Sequence, residues 1–236
     1  MSLGLKFARL RGKSSPINFC NQSIMFSPSA LKQLLQTAKA RVAPLPGLKH
    51  SAVLMILFEA GTPAQTHAVF IMKTADGSRH GGQIAFPGGR VEPEDSSTLA
   101  TALRETREEI GIAPEQLEVM GSLGHFSTLM TGYDVAVFVA RPRTAWHYLP
   151  QDREVAAILE IPLPLLIEQF DASLTFRSRE DFLNLHYHIA AGPFIKYQNE
   201  NWPAQRHTIC IWGFTARVLH HFLSLALQNA PNVMNV

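Results

Sequence analysis

The chain has 236 residues, of which 46% are hydrophobic and 17% are charged. This balance can bury a sizeable core, so a disordered chain is excluded, and the length suits one large domain or at most two small ones. No run of about 18 apolar residues is free of both charges and loop signals, so no membrane span is expected. The two cysteines, Cys20 and Cys210, form neither a metal-spaced pair nor a disulfide framework, which indicates a reducing compartment.

The charge is unevenly distributed, although the formal net charge is only +2. No acidic residue precedes Glu59, whereas Lys and Arg recur throughout that stretch. Three interpretations of this basic N-terminus stay open: a mitochondrial transit peptide, an arm that binds a polyanion, and an ordinary solvated tail. We expect a cytoplasmic protein. The transit-peptide interpretation makes the mitochondrial matrix the alternative location.

The predicted elements mix helices and strands, as in one α/β domain over residues 50–236, with a loosely attached basic extension containing one helix over residues 1–49. A Pro- and Gly-rich segment at residues 44–47 separates the two parts. In chain order we predict a helix over 30–41, strands over 51–58 and 67–72 that form a hairpin, a helix over 97–110, strands over 117–123, 135–140 and 154–161, a short helix over 165–170, a strand over 182–189 with a hairpin return at 194–197, and a helix over 213–227.

The helix predicted over 97–110 contains the clearest chemical signal. Glu105, Glu108 and Glu109 are spaced i, i+3 and i+4, which places three carboxylates on one helix face. Because like charges at this spacing repel, nearby cations are expected, and Arg104 can brace the glutamates. Grouped oxygen ligands suit Mg²⁺ or Mn²⁺, although the three glutamates alone are also typical of a solvated helix face.

A diglycine turn precedes this helix. Without side chains, Gly88 and Gly89 let the backbone approach a metal ion or a phosphate closely. Downstream, Gly111 stands where a helix commonly ends. The diglycine, the acidic helix face and the terminal glycine at these separations argue against a merely solvated face.

These residues resemble the Nudix box, in which a glycine, an acidic residue and an Arg-Glu-x-x-Glu-Glu helix follow at set separations. Two departures are present: the acidic position is Asp95, one residue further from Arg104 than usual, and Thr106 replaces a bulky apolar residue. The same variant is typical of the branch that resembles coenzyme A diphosphatases. Two further motifs of that branch are matched by Gly82-Gln83-Ile84-Ala85-Phe86 and by Ile211-Trp212-Gly213-Phe214-Thr215-Ala216.

The resemblance covers roughly residues 50–225 and implies an α/β/α sandwich around a mixed β-sheet. It implies that metal-polarised water cleaves the diphosphate of coenzyme A or its acyl derivatives into 3′,5′-ADP and 4′-phosphopantetheine, with Mg²⁺ or Mn²⁺ as cofactor. The implied metal ligands are Glu105, Glu108, Glu109 and Gly89. The implied catalytic residues are Arg104, Glu105, Glu108 and Glu154, with Glu108 and Glu154 as alternative bases.

Two departures from the branch affect substrate recognition. Lys73 stands where the branch has an arginine and therefore loses a bidentate fork. Ser78 stands at a second arginine position, and Arg79 follows one residue later. The predicted substrate contacts are Lys73, Arg79, Gly88 and Arg90.

Two other functions stay open. One is hydrolysis of a different nucleoside diphosphate, such as ADP-ribose, a dinucleotide or an oxidised nucleotide, because Ser78 replaces an arginine. The other is a catalytically silent Nudix-like domain that senses a ligand or binds a protein, although such domains usually lose the glutamates that are present here. The expected partner is a small nucleotide substrate, with no nucleic acid and no membrane, and a homodimer is compatible with the sequence.

Overall fold

The computed structural model describes residues 25–37, 46–75, 81–128, 131–172, 174, 185–229 and 234–235. The strands are β1 (Met25–Phe26), β2 (Lys49–Ala60), β3 (Gln65–Lys73), β4 (Ile84–Ala85), β5 (Gly88–Arg90), β6 (Leu117–Ser127), β7 (Tyr133–Pro142), β8 (Val155–Pro162), β9 (His186–Ala190), β10 (Ile195–Gln198), β11 (Thr208–Trp212) and β12 (Met234–Asn235). The helices are α1 (Pro28–Thr37), α2 (Thr98–Ile110), α3 (Leu163–Ile167) and α4 (Gly213–Gln228).

The central sheet has the strand order β10-β8-β3-β2-β7-β6, and the short strands β4 and β5 pair with β3 and β2. Strands β2 and β7 run parallel, whereas β2–β3, β3–β8 and β6–β7 are antiparallel, so the sheet is mixed. The antiparallel β2–β3 pair confirms the predicted hairpin.

Helices cover both faces of this sheet. On one face, Ala102 and Ile110 of α2 pack with Ala52 and Leu54 of β2 in one buried cluster. On the other, a larger cluster joins residues of α1, α3 and α4 to alternate residues of β2, β3 and β7. This arrangement is the predicted α/β/α sandwich. Within the described segments, no helix is both long and apolar enough to cross a membrane.

Helix α1 is part of the core, so the predicted loose attachment of the N-terminal extension is wrong for residues 25–37. Leu31 and Leu34 are 0% and 1% exposed and belong to the larger buried cluster. The helix begins at Pro28, two residues before the prediction, because Ser27 caps it and proline suits the first helical position. The predicted end of this helix, at residues 38–41, lies outside the described residues.

The pairing of the strands after α3 also differs from the prediction. Strand β10 pairs with β8 at the edge of the central sheet and does not form a hairpin with β9. Strand β9 pairs instead with β11, which was not predicted. This pairing places inward residues of both strands, such as Tyr187 and Ile211, in the larger buried cluster. Residues 182–184 of the predicted strand lie outside the described part of the chain.

Replacing Leu34 by alanine tests whether α1 belongs to the core. The Leu34→Ala change is expected to lower the free energy of unfolding by about 2–5 kcal/mol, because it removes buried methyl groups and leaves a cavity. Gln33→Ala, at an exposed neighbouring position of the same helix, is the matched control and should change it little. Urea unfolding measures both variants, and equal stability of the two would contradict the packing of α1.

Candidate active site

Helix α2 has well-defined ends that fix its position. The Ser97 hydroxyl accepts a hydrogen bond from the Ala100 N–H at 3.1 Å, which caps the first turn. At the other end, Gly111 adopts φ +78°, and its N–H donates to the Arg107 carbonyl. Both ends agree with the sequence prediction, and the acidic face of the helix lies against the diglycine turn.

The predicted turn at Gly88 and Gly89 is wrong in one respect: the two residues begin strand β5, which pairs with β2, and they are called the diglycine turn below. Gly88 has φ +150°, and a Cβ there would collide with the backbone of Ala52 and Val53 in the neighbouring strand β2. A Cβ on Gly89 would meet the carboxylate of Glu105, so the Glu105 side chain would have to move away from the turn. The backbone of the turn therefore lies directly against the acidic face of α2.

Glu109 is the most buried of the three glutamates, with a side chain that is 0% exposed. Its Oε2 accepts the Gly88 N–H at 2.8 Å, and its Oε1 is ion-paired with the ammonium of Lys73. Burial raises the pKa of Glu109 to about 6, while Lys73 and the Gly88 N–H act in the opposite direction. Lys73, predicted to contact substrate, thus contacts a predicted metal ligand.

Arg104 connects the acidic residues to the preceding loop. Its Nε and Nη2 donate to the two carboxylate oxygens of Asp95 at 3.0 and 3.1 Å. Its Nη1 donates to Glu108 at 2.8 Å, and Nη2 also reaches Glu105 at 3.1 Å. The structure therefore places Arg104 where it braces these glutamates.

The hydrogen bond from Arg104 holds the pKa of Asp95 well below its usual range, against the opposing effect of burial. The Glu92 N–H and the Thr101 hydroxyl add hydrogen bonds to Asp95 at 2.9 and 2.8 Å. Sequence reasoning missed Thr101. Its position three residues before Arg104 was the available signal, because this spacing puts both on one helix face.

The three glutamates differ in access to solvent. The side chain of Glu108 is 56% exposed, and that of Glu105 is 14% exposed. Burial raises the pKa of Glu105, while Arg104 opposes this shift. The helix thus presents one accessible, one half-buried and one fully buried carboxylate in adjacent turns.

The donor set fits a hard divalent cation in its chemistry. Three carboxylates lie on one helix face, and the turn supplies backbone carbonyls beside them, so every donor is an oxygen. Across the described residues, no three His, Cys, Asp or Glu side chains already converge as a metal site. The carboxylates are instead paired with Arg104 and Lys73.

Of the other predicted site residues, Arg90 contacts this cluster directly. The carbonyl of Arg90 accepts from Arg104 at 3.1 Å, and its guanidinium lies 5.5 Å from the Tyr133 ring centroid. Glu154 is exposed, and its carbonyl accepts from the N–H of Thr74, next to Lys73. Arg79 lies outside the described residues.

Comparison with known proteins gives consistent matches. A family model of the NUDIX domain matches residues 48–170, slightly more than half of the chain. The chain is 39% identical to the uncharacterized Nudix hydrolase NudL of Enterobacter sp. (strain 638), over 76% of this chain and 82% of that protein. It is 28% identical to the protein of the same name from Pectobacterium atrosepticum, over 80% of this chain and 88% of that protein.

Among solved structures, the chain is similar to a MutT/nudix family protein from Enterococcus faecalis. That structure is 12% identical, with a TM-score of 0.48, and the match covers 86% of this chain and 76% of that one.

Replacing Asp95 tests the bond network around Arg104. Asp95→Asn is expected to lower the free energy of unfolding by about 2 kcal/mol near neutral pH, because it removes charge-assisted hydrogen bonds. Since folding lowers the pKa of Asp95, its stabilising effect is present above the unfolded value of 3.8 and is lost as the pH falls below it. The difference between wild type and variant should therefore narrow in acid.

Urea unfolding at neutral and acidic pH measures this difference. Glu94→Gln, at an exposed position of the same loop, is the matched control and should track the wild type at both pH values. A difference between wild type and Asp95→Asn that persists unchanged in acid would contradict this account of the network.

Proposed function

The chain belongs to the Nudix family, and from that premise we propose that it hydrolyses coenzyme A and its acyl derivatives. The family assignment makes it a hydrolase that acts on pyrophosphate bonds of nucleoside diphosphate compounds. The finer proposal is that the products are 3′,5′-ADP and 4′-phosphopantetheine. Nudix hydrolases generally use divalent metal ions, and we propose Mg²⁺ or Mn²⁺ for this chain.

The observation that carries the substrate proposal is the contact between two motifs far apart in sequence. Strand β4, from the Gly82–Phe86 motif, contacts β11, which leads into the Ile211–Ala216 motif. Arg206 strengthens this connection, because its Nη1 donates to the Gly82 carbonyl at 3.2 Å. Both motifs that resemble the coenzyme A branch thus belong to one unit, which continues directly into the diglycine turn.

The proposed roles follow from the contacts around α2. Glu105, Glu108 and Glu109 would hold the metal, together with a carbonyl of the diglycine turn, Gly89 in the sequence prediction. When bound, the metal neutralises charge on the diphosphate and lowers the pKa of a water molecule. Arg104 orients Glu105 and Glu108 through its hydrogen bonds and is a positioning residue.

Proton transfer and substrate binding complete the proposal. Glu108 and Glu154 are the two candidate bases, because both carboxylates are exposed and can exchange protons with solvent. Lys73, Arg79, Gly88 and Arg90 are the proposed substrate contacts. Of these, Arg90 follows the diglycine turn and is itself exposed, so a phosphate can approach its guanidinium.

A substrate panel tests this function. Coenzyme A, acetyl-coenzyme A, ADP-ribose, NADH, a dinucleoside polyphosphate and an oxidised dGTP are each incubated with Mg²⁺ and with Mn²⁺, and the products are separated by chromatography. Release of 3′,5′-ADP from the coenzyme A compounds is expected. Cleavage of the other nucleotides alone would contradict the substrate proposal, and cleavage of none would favour a silent domain.

Replacing Glu108 tests the site itself. Glu108→Gln is expected to lower kcat at least about a hundredfold, because it removes a charged ligand or base. The fold should be unchanged, since the side chain is exposed and Arg104 keeps its two bonds to Asp95. Glu115→Gln, an exposed glutamate just after the helix, is the matched control and should keep wild-type kcat. Wild-type turnover by Glu108→Gln would place the chemistry elsewhere.

A further inference from the structure

The ammonium of Lys73 lies between two oxygens that belong to different elements. It is ion-paired with Glu109 Oε1 on α2, and it lies 3.5 Å from the Gly88 carbonyl oxygen of the diglycine turn. The remaining carboxylate oxygen of Glu109 accepts the Gly88 N–H. Both oxygens of the most buried glutamate are therefore occupied, one of them by a cation.

We propose that Lys73 is the resident cation of the acidic site, and that it leaves Glu109 when a divalent metal binds there. This inference rests on the proposed metal-dependent function. It assigns Lys73 a positioning role in the metal-free protein that is separate from any contact with substrate.

The energetic reason is the burial of Glu109. A fully buried carboxylate without a partner is strongly destabilising, so the metal-free protein needs a cation at this position. An ammonium and a divalent ion on the same oxygen would repel each other at short range in a medium of low polarity. The two cations therefore compete for Glu109, and metal binding has to displace the lysine.

The side chain of Lys73 can move, in contrast to that of Arg104. Arg104 is anchored by donor bonds to Asp95, Glu105 and Glu108 and to the Arg90 carbonyl. Lys73 has its ammonium at the end of a flexible stem, and its side chain is 26% exposed, so a path to solvent exists. It also stands at the end of β3, where the pairing register with β8 shifts.

The consequence is that metal affinity and metal-free stability are opposed at this position. Removing the ammonium should weaken the metal-free fold and strengthen metal binding at the same time. Removing a lysine that only binds substrate would neither weaken the metal-free fold nor strengthen metal binding.

The test compares Lys73→Met with wild type by Mn²⁺ titration, followed by electron paramagnetic resonance, and by thermal unfolding. The variant is expected to bind Mn²⁺ about tenfold more tightly or better, because a competing positive charge is gone. Its Tm without metal should fall, and saturating Mn²⁺ should restore it to the value of metal-bound wild type. Lys73→Arg keeps a cation and should not tighten Mn²⁺ binding.

Lys32→Met is the matched control, because Lys32 is also ion-paired with a carboxylate, that of Glu118, but on the protein surface. It should alter neither Mn²⁺ affinity nor the effect of Mn²⁺ on Tm. If Lys73→Met fails to fold without metal, a second measurement uses wild type alone. Amine-reactive labelling read by mass spectrometry should show more modification of Lys73 when Mn²⁺ is present, with Lys32 unchanged.

Unchanged Mn²⁺ affinity in folded Lys73→Met, or unchanged Lys73 labelling on metal addition, would overturn this inference. If wild type still binds Mn²⁺ and cleaves its substrate in that case, the proposed function stands without it. If wild type binds no Mn²⁺ and cleaves nothing, both fail together.

Discussion

The buried carboxylate of Glu109 is the constraint on which the site depends. It accepts a hydrogen bond from the Gly88 N–H and is paired with Lys73, so it joins α2 to the diglycine turn and to the end of β3. A buried charge keeps its position only if these partners are in place. The requirement explains why a lysine follows the apolar run Ala68–Met72 at the end of β3.

A second group of bonds around Arg104 compensates the remaining negative charge. Asp95 takes two donor bonds from Arg104, while Glu105 and Glu108 take one each. Three carboxylates at i, i+3 and i+4 would otherwise repel and weaken the helix. With these cations present, the helix keeps a dense group of oxygen donors next to a backbone turn, as diphosphate chemistry requires.

Local patterns were enough to predict much of this arrangement. The serine at position 97 and the glycine at position 111 mark the ends of α2, and two short apolar runs close together in sequence predict the β2–β3 hairpin. The shared helix face also predicted the role of Arg104 beside the glutamates. These features depend on contacts between residues close in sequence, or on a spacing that a helix converts directly into proximity.

Long-range pairings could not be predicted in the same way. The β9–β11 pair joins residues about twenty apart, and β10 forms the edge of the central sheet beside β8, so neither pairing follows from adjacency in the sequence. The packing of α1 on the core likewise depends on contacts with sheet residues that are distant in sequence. The contact of Lys73 with Glu109 forms only when the end of β3 lies beside α2 and the diglycine turn. No spacing in the sequence specifies this placement.

We propose that water cleaves the diphosphate bond of coenzyme A at the acidic face of α2. Hydrolysis of coenzyme A in water enriched in oxygen-18, followed by mass spectrometry of the products, tests it most directly. We predict one labelled oxygen in the new phosphate group of either 3′,5′-ADP or 4′-phosphopantetheine, with formation of both products almost abolished by Glu108→Gln. Products without label in either phosphate, or intact coenzyme A after prolonged incubation with Mg²⁺ and with Mn²⁺, would contradict it.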